Sequence, residues 1–145
     1  MLVRAELSDL KEIIEVRQEI LHPDGPRERV VYEPDEEEST LHLVYKSNDQ
    51  ILAVGTMMFE NEDEASSGDL RIRGMAVKAE LQGQGVGRQI LDEFISCAQE
   101  KNVNKIWCNA RVRALPLYER KGFVKFGKPF DVPGSGPHYR MRLSL

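Results

Sequence analysis

Residues 81–91, LQGQGVGRQIL, carry glycine at 83, 85 and 87 and then run straight into a helical pattern. Glycine inside a helix is unfavourable by about 1 kcal/mol relative to alanine, so three at a helix start need a physical reason. The segment before them, DLRIRGMAV (69–77), reads as a strand, with Gly74 interrupting it as at a bulge. After them Val86, Ile90, Leu91, Phe94, Ile95 and Ala98 recur at helical intervals, and NKIWCNARV (104–112) reads as the next strand. A strand–helix–strand unit of this length pairs its strands in parallel through a right-handed crossover. The chain must therefore contain a sheet with a helix on at least one face.

Two well-known glycine motifs fail on spacing. A dinucleotide-binding turn needs G-x-G-x-x-G, which 83, 85 and 87 do not give, and wants an acid at the end of the next strand, where Asn109 and Ala110 stand. A P-loop needs Gly-Lys-Ser/Thr after four intervening residues, but Arg88 and Gln89 follow Gly87. A simpler reading remains. The first amides of a helix have no intrahelical partners, and the macrodipole makes that end partially positive. Missing side chains at 83, 85 and 87 let a pyrophosphate approach the backbone, with Arg88 adding charge. The bland alternative is a tight strand-to-helix turn that holds nothing.

The rest of the chain supplies more strands. LVRAEL (2–7) is a short first strand, with Ser8, Asp9 and Glu12 close to a capping-box arrangement. Leu10, Ile13, Ile14, Arg17, Ile20 and Leu21 recur at helical spacing to about residue 21, and 22–39, with three prolines and an acidic run, reads as a long exposed loop containing at most one helical turn. TLHLVY (40–45) and ILAVGTMMF (51–59) form a hairpin around KSNDQ. ALPLYERKG (114–122) is a short helix with Pro116 in its first turn and Gly122 at its stop. FVKFGKPF (123–130) and PHYRMRLSL (137–145) close the chain as two strands. The pattern predicts a mixed sheet in an α/β or α+β fold, and 145 residues predict one domain spanning 1–145.

Composition narrows the function. A net charge of −4 argues against nucleic acid, which requires a basic face, and against an anionic membrane. No apolar run is long enough to span a bilayer, and MLVRAELSDLKEI lacks the long apolar core of a signal peptide, so a cytoplasmic address is expected. Cys97 and Cys108 have no metal-ligand spacing; they read as buried or half-buried free thiols, and no metal site is expected.

RGMAVKAELQGQGVGRQIL resembles the acetyl-CoA-binding segment of the GNAT superfamily of N-acetyltransferases, Gln/Arg-x-x-Gly-x-Gly/Ala at a helix start, here Gln82, Gly85 and Gly87. NARVRALPLYERKGF resembles the family's second signature, matched at Asn109, Ala114, Tyr118, Gly122 and Phe123. The two occur in the family's order within a matching strand–helix order over nearly the whole chain. Gln82 departs from the arginine often found at its position, so one charge is missing there.

The resemblance implies a GNAT-like fold, a central sheet of about six or seven strands flanked by about four helices, whose parallel strands splay to form an acetyl-CoA cleft. It implies that the backbone of Met75, Ala76 and Val77 pairs with the pantetheine arm like an added strand. By the same likeness the amides of Gln82, Gly83, Gln84, Gly85, Val86, Gly87 and Arg88 hold the pyrophosphate, and Asn109 and Tyr118 reach the cofactor from the neighbouring strand and helix.

The implied activity is acetyl transfer from the thioester to a primary amine of a small molecule or peptide, directly within a ternary complex. Tyr118 is the candidate acid for the leaving thiolate, against a purely core-facing role beside Leu115 and Leu117. The Met75 amide or a neighbour is the candidate oxyanion donor. His138, fixed by its glycine-proline turn, is the candidate base; some small family members share a G-x-PH ending. His22 and His42 rank below it, and a water relay in place of any base is a live alternative. Glu28, Glu33 and the acids of 35–38 could draw in a cationic amine, or simply be a solvated face. Met57, Met58 and Phe59 are expected at the acyl tunnel, and residues 17–38 on the acceptor side. Homodimers are common in the family, which makes a homodimer one implied assembly. A non-catalytic acyl-CoA-binding sensor or subunit with the same fold is the competing function.

Overall fold

A computed structural model describes residues 1–145. It contains one mixed seven-stranded sheet in the order β1-β2-β3-β4-β5-β7-β6. In chain order these are β1 (Leu2–Arg4), α1 (Leu10–Leu21), β2 (Leu41–Ser47), β3 (Gln50–Phe59), β4 (Leu70–Val77), α2 (Val86–Glu100), β5 (Lys105–Arg111), α3 (Leu115–Glu119), β6 (Val124–Val132) and β7 (Gly136–Ser144). Every neighbouring pair is antiparallel except β4 and β5, the pair that the strand–helix–strand unit requires to be parallel. The final hairpin folds back so that β7 lies between β5 and β6.

Several boundaries differ from the sequence expectation for local reasons. The first strand stops at Arg4, and Leu7–Asp9 forms a 3-10 turn in which the Glu6 amide donates to Asp9 Oδ2 at 2.8 Å. The 22–39 segment holds two 3-10 turns, Arg27–Val30 and Glu33–Glu36, where at most one helical turn is expected. The helix count is three α-helices rather than four, because Ala79–Leu81 and Val112–Ala114 remain 3-10 turns. The β2–β3 hairpin narrows to Asn48 and Asp49, both at positive φ (53° and 63°). Two left-handed residues give the primed turn whose twist suits a hairpin, and Asn and Asp tolerate it.

The sheet has a helix on each face. Ile90, Leu91, Phe94 and Ala98 of α2 pack with Leu70, Ile72, Ile106 and Cys108 in the larger hydrophobic cluster. Ile13 and Val16 of α1 pack with Val44, Ile51, Val54 and Ala76 on the other face. The helical spacing that groups Arg17 with these apolar residues is correct: Arg17 is fully buried. Cys97 and Cys108 are buried free thiols. No helix is long and apolar enough to cross a membrane.

Candidate active site

The site begins with a defect in β4. Opposite Val54 and Thr56 of β3 lie Ala76 and Arg73, so two β4 residues, Gly74 and Met75, face the single residue Gly55. This is a β-bulge, and Gly74 sits in it at φ +64°. Glycine is needed twice over, since a Cβ there would lie 2.9 Å from Arg17 Nε and 3.0 Å from the Tyr32 ring. The bulge also reverses the strand's facing. Leu70 and Ile72 point toward α2, but beyond Gly74 it is Met75 and Val77 that do so, while Ala76 joins the α1 side.

Past the bulge β4 loses its parallel neighbour. β4 and β5 pair only at Leu70–Ile106, Arg71–Trp107 and Ile72–Cys108. From Asn109 to Arg111, β5 pairs with β7 alone. The gap between the strands is a cleft of about 230 Å³. Met75, Asn109, Ala110 and Arg111 line it from the strands, Leu117 and Tyr118 from α3, and His22, Arg29 and Tyr32 from the segment after α1.

Beyond the open edge of β4 the chain leads through the glycine loop to the head of α2. Gly83 and Gly85 take φ of +79° and +80° with nothing within 4 Å of a notional Cβ. Their backbone conformation therefore demands glycine, not lack of room. Gly87 is different: its backbone is helical and a Cβ would make only ordinary contact, 3.6 Å from Leu117. Neither strain nor crowding from the protein requires glycine at 87.

Of the seven loop amides, those of Gln82 and Gln84 donate to Ala79 and Leu81 carbonyls at 3.3 and 3.4 Å. Those of Gly83, Gly85, Val86, Gly87 and Arg88 have no protein acceptor. The Gln82 side chain turns back to donate to the Val77 carbonyl at 2.9 Å, and that of Gln84 to Glu80. A loop presenting unpaired amides at a helix N-terminus fits an anionic group. Arg88 is exposed beside it.

The polar side chains on the cleft are individually constrained. Asn109 Oδ1 accepts from Arg140 Nε at 2.7 Å; arginine only donates, so the amide orientation is fixed and the Asn109 NH2 is left free. Tyr118 is buried and packs edge-to-face on Phe123 at 5.3 Å. Burial, and secondarily Cys108, holds its phenol well above the ordinary value of 10.0, so it stays protonated. His138 Nδ1 lies 2.9 Å from the Gly136 carbonyl; a carbonyl only accepts, so Nδ1 is the donor there and, in the neutral ring, Nε2 carries the lone pair. His22, ranked low from sequence, also lines the cleft, with Nδ1 3.3 Å from Ser135 Oγ. Its affinity for a proton is lowered by burial first and then by Arg29 and Arg111.

Behind the cleft a buried network fixes the wall that carries Tyr32. Arg17 donates to Asp35 Oδ2 and Oδ1 (2.8 and 2.9 Å), to Thr56 Oγ1 (2.7 Å) and to the Val30 carbonyl (2.8 Å). Its guanidinium carbon lies 4.1 Å from the Tyr32 ring centroid. His42 joins through Thr56 Oγ1 at 2.7 Å and the Asp35 carbonyl at 2.9 Å.

Two sequence expectations change here. Glu28, Glu33 and Glu36 to Glu38 are exposed, the solvated face of the two alternatives, and none lines the cleft; Asp35 departs from both as a buried structural counter-ion. Met57 and Met58 are core residues and Phe59 is partly exposed; none of them meets the cleft. Arg29, inside the expected 17–38 segment, lines the cleft together with Arg73 and Arg111, for which the only local signal is the R-I-R alternation at 71–73 that places Arg71 and Arg73 on one face of a strand. No group of three or more His, Cys, Asp or Glu stands close enough to hold a metal.

Residues 6–145 match the family model for the acetyltransferase (GNAT) domain. The chain is 29% identical over 139 residues to YitI of Bacillus subtilis (strain 168), an uncharacterized N-acetyltransferase, covering 94% of this chain and 92% of that one. Among solved structures, the ribosomal-protein-alanine N-acetyltransferase of Brucella melitensis superposes with a TM-score of 0.78 at 18% identity, covering 100% and 99% of the two chains. An aminoglycoside 6'-N-acetyltransferase complexed with coenzyme A gives 0.77 at 9% identity, covering 99% and 96%.

Proposed function

The chain belongs to the GNAT acetyltransferase family and is an acyltransferase, and we propose that residues 1–145 act as one N-acetyltransferase domain, moving the acetyl group of acetyl-CoA directly to a primary amine. The observation that carries this reading is the parting of β4 and β5 after three paired residues, with five unpaired amides at the head of α2 beside the open edge. The backbone of Met75, Ala76 and Val77 takes the pantetheine arm as an added strand. The amides of Gly83, Gly85, Val86, Gly87 and Arg88 take the pyrophosphate, and the free NH2 of Asn109 donates to the cofactor from β5.

Acetyl-CoA supplies the activated acyl group; the protein supplies three services. The Met75 amide stabilises the thioester oxygen as it gains charge, a contribution of about 2.7–4 kcal/mol if it matches other oxyanion donors. Tyr118 gives its proton to the departing thiolate; its raised pKa keeps that proton in place until it is needed. His138 Nε2 receives the proton of the attacking amine, directly or through water. An acceptor that is a small molecule or a peptide end matches the size of the cleft.

The test is release of CoA thiol from acetyl-CoA on adding amines. Amine-dependent thiol release is expected. Tight CoA binding with no release for any amine would instead support a non-catalytic acyl-CoA sensor.

A further inference from the structure

The acceptor side of the cleft is lined by cations and by no carboxylate. Arg29, Arg71, Arg73 and Arg111 line it, in a chain whose net charge is −4. Arg71 has a counter-ion, Glu60 Oε2 at 2.7 Å. The guanidiniums of Arg29 and Arg73 form no hydrogen bond or ion pair with the protein, and that of Arg111 uses one nitrogen on the Leu21 carbonyl (2.6 Å) and Ser135 Oγ (3.4 Å). All three are half-buried, so the lost hydration is not made good by any carboxylate.

Arg73 is nevertheless held in place. Its guanidinium carbon lies 3.9 Å from the Tyr32 ring centroid. Tyr32 is itself locked, with its amide donating to Asp35 Oδ2 at 2.8 Å and Arg17 stacked on its ring. Stacking fixes the plane of a guanidinium and leaves its in-plane N–H groups available for a bidentate acceptor. Gly74 contributes by giving Arg17 and Tyr32 the space of its missing Cβ. A preorganised arginine with unused donors, two further guanidiniums and no opposing acid is an anion site.

We propose that the acceptor of this enzyme carries an anionic group, a carboxylate or phosphate, which Arg29, Arg73 and Arg111 bind while the amine is presented to the thioester. This rests on the reading of the cleft as an acyl-transfer site. It excludes polyamines and other polycations as good acceptors, since they would meet guanidiniums with no acid to receive them. The same positive field disfavours the charged form of a bound ammonium, which helps deliver the neutral amine that attack requires.

The test is binding by calorimetry, with and without saturating CoA, of matched probes: N-acetyl amino acids against their carboxamides, and phosphoethanolamine against ethanolamine. At least one carboxylate or phosphate probe is expected to bind tenfold or more tighter than its neutral twin, and which pair shows the preference identifies the anion. Arg73→Gln and Arg29→Gln are expected to remove that preference while leaving the Kd for CoA within about twofold. The proposal is overturned if no anionic probe outbinds its twin. It is equally overturned if the arginine variants weaken CoA instead, which would put these guanidiniums on the cofactor's phosphates. Failure of CoA to bind the wild-type protein would remove the acyltransfer reading, and the anion preference measured without CoA is a separate result.

Discussion

At the α2 end of the cleft the chain offers backbone: left-handed glycines at 83 and 85, a helix start, and five amides with no protein acceptor. At the other end it offers side chains: three arginines with no carboxylate partner, two histidines and a tyrosine held by a buried ion pair. The difference matches what each end is proposed to recognise. A pyrophosphate shared by a whole family can be held by groups every residue carries, provided side chains stay out of the way. An acceptor particular to one enzyme needs side chains of its own.

If the two ends are built separately, they should break separately. The largest expected effect is at the acceptor wall. Arg17→Ala leaves Asp35 buried without its partner, which should lower stability by about 3–5 kcal/mol in urea unfolding, while the Kd for CoA measured below the transition changes little. A parallel loss of CoA binding would show that the ends are one unit. A comparable loss should come at high pH from the point where the strands part. Cys108 ends the β4–β5 pairing, and burial raises its thiol from 9.0 to about 12. A raised pKa favours the protonated form in the folded state, so its contribution is intact below pH 9.0 and is lost as pH rises toward 12. The loss reaches at most about 4 kcal/mol at 1.36 kcal/mol per unit. Cys108→Ala should flatten that alkaline limb, and an unchanged limb would assign it elsewhere.

Smaller effects separate chemistry from binding. The Tyr118 hydroxyl has no protein partner, so Tyr118→Phe should leave the fold intact. It should lower kcat by about 10²-fold or more if the phenol is the acid; an unchanged rate at all pH values removes that role. The smallest change is Gly87→Ala. Helix propensity should gain up to about 1 kcal/mol, whereas CoA affinity should fall at least tenfold, about 1.4 kcal/mol. Affinity that survives would mean that nothing approaches that face of the helix.

The same contrast explains what could be read from sequence. Backbone demands leave glycines, and glycines at 74, 83 and 85 are visible without a structure because few other residues tolerate those φ values. Hydrophobic period likewise grouped Arg17 with the apolar face of α1 and gave the succession of strands and helices along the chain. The acceptor wall was illegible because its logic is tertiary. Asp35 looks like one acid in an acidic run, and only the fold brings it to Arg17, 18 residues away. Arg29, Arg73 and Arg111 lie on different elements, and no local pattern signals that they converge. Met57, Met58 and Phe59 failed as tunnel residues because β3 is an interior strand, covered by α1 and α2, and does not border the cleft.

For the cleft to be an acyl-transfer site, the glycine loop and the open β4 edge must bind CoA. A thermal-shift scan with acetyl-CoA, CoA, NAD and ATP, each near a hundred times a micromolar-range Kd, tests it most directly. Acetyl-CoA and CoA should each stabilise by about 2.7 kcal/mol, a rise of roughly 5–10 °C for a domain of this size, with little response to NAD or ATP. No shift with either CoA species, or an equal shift with NAD or ATP, would contradict it: the loop would then be only a turn, or a site for some other phosphate.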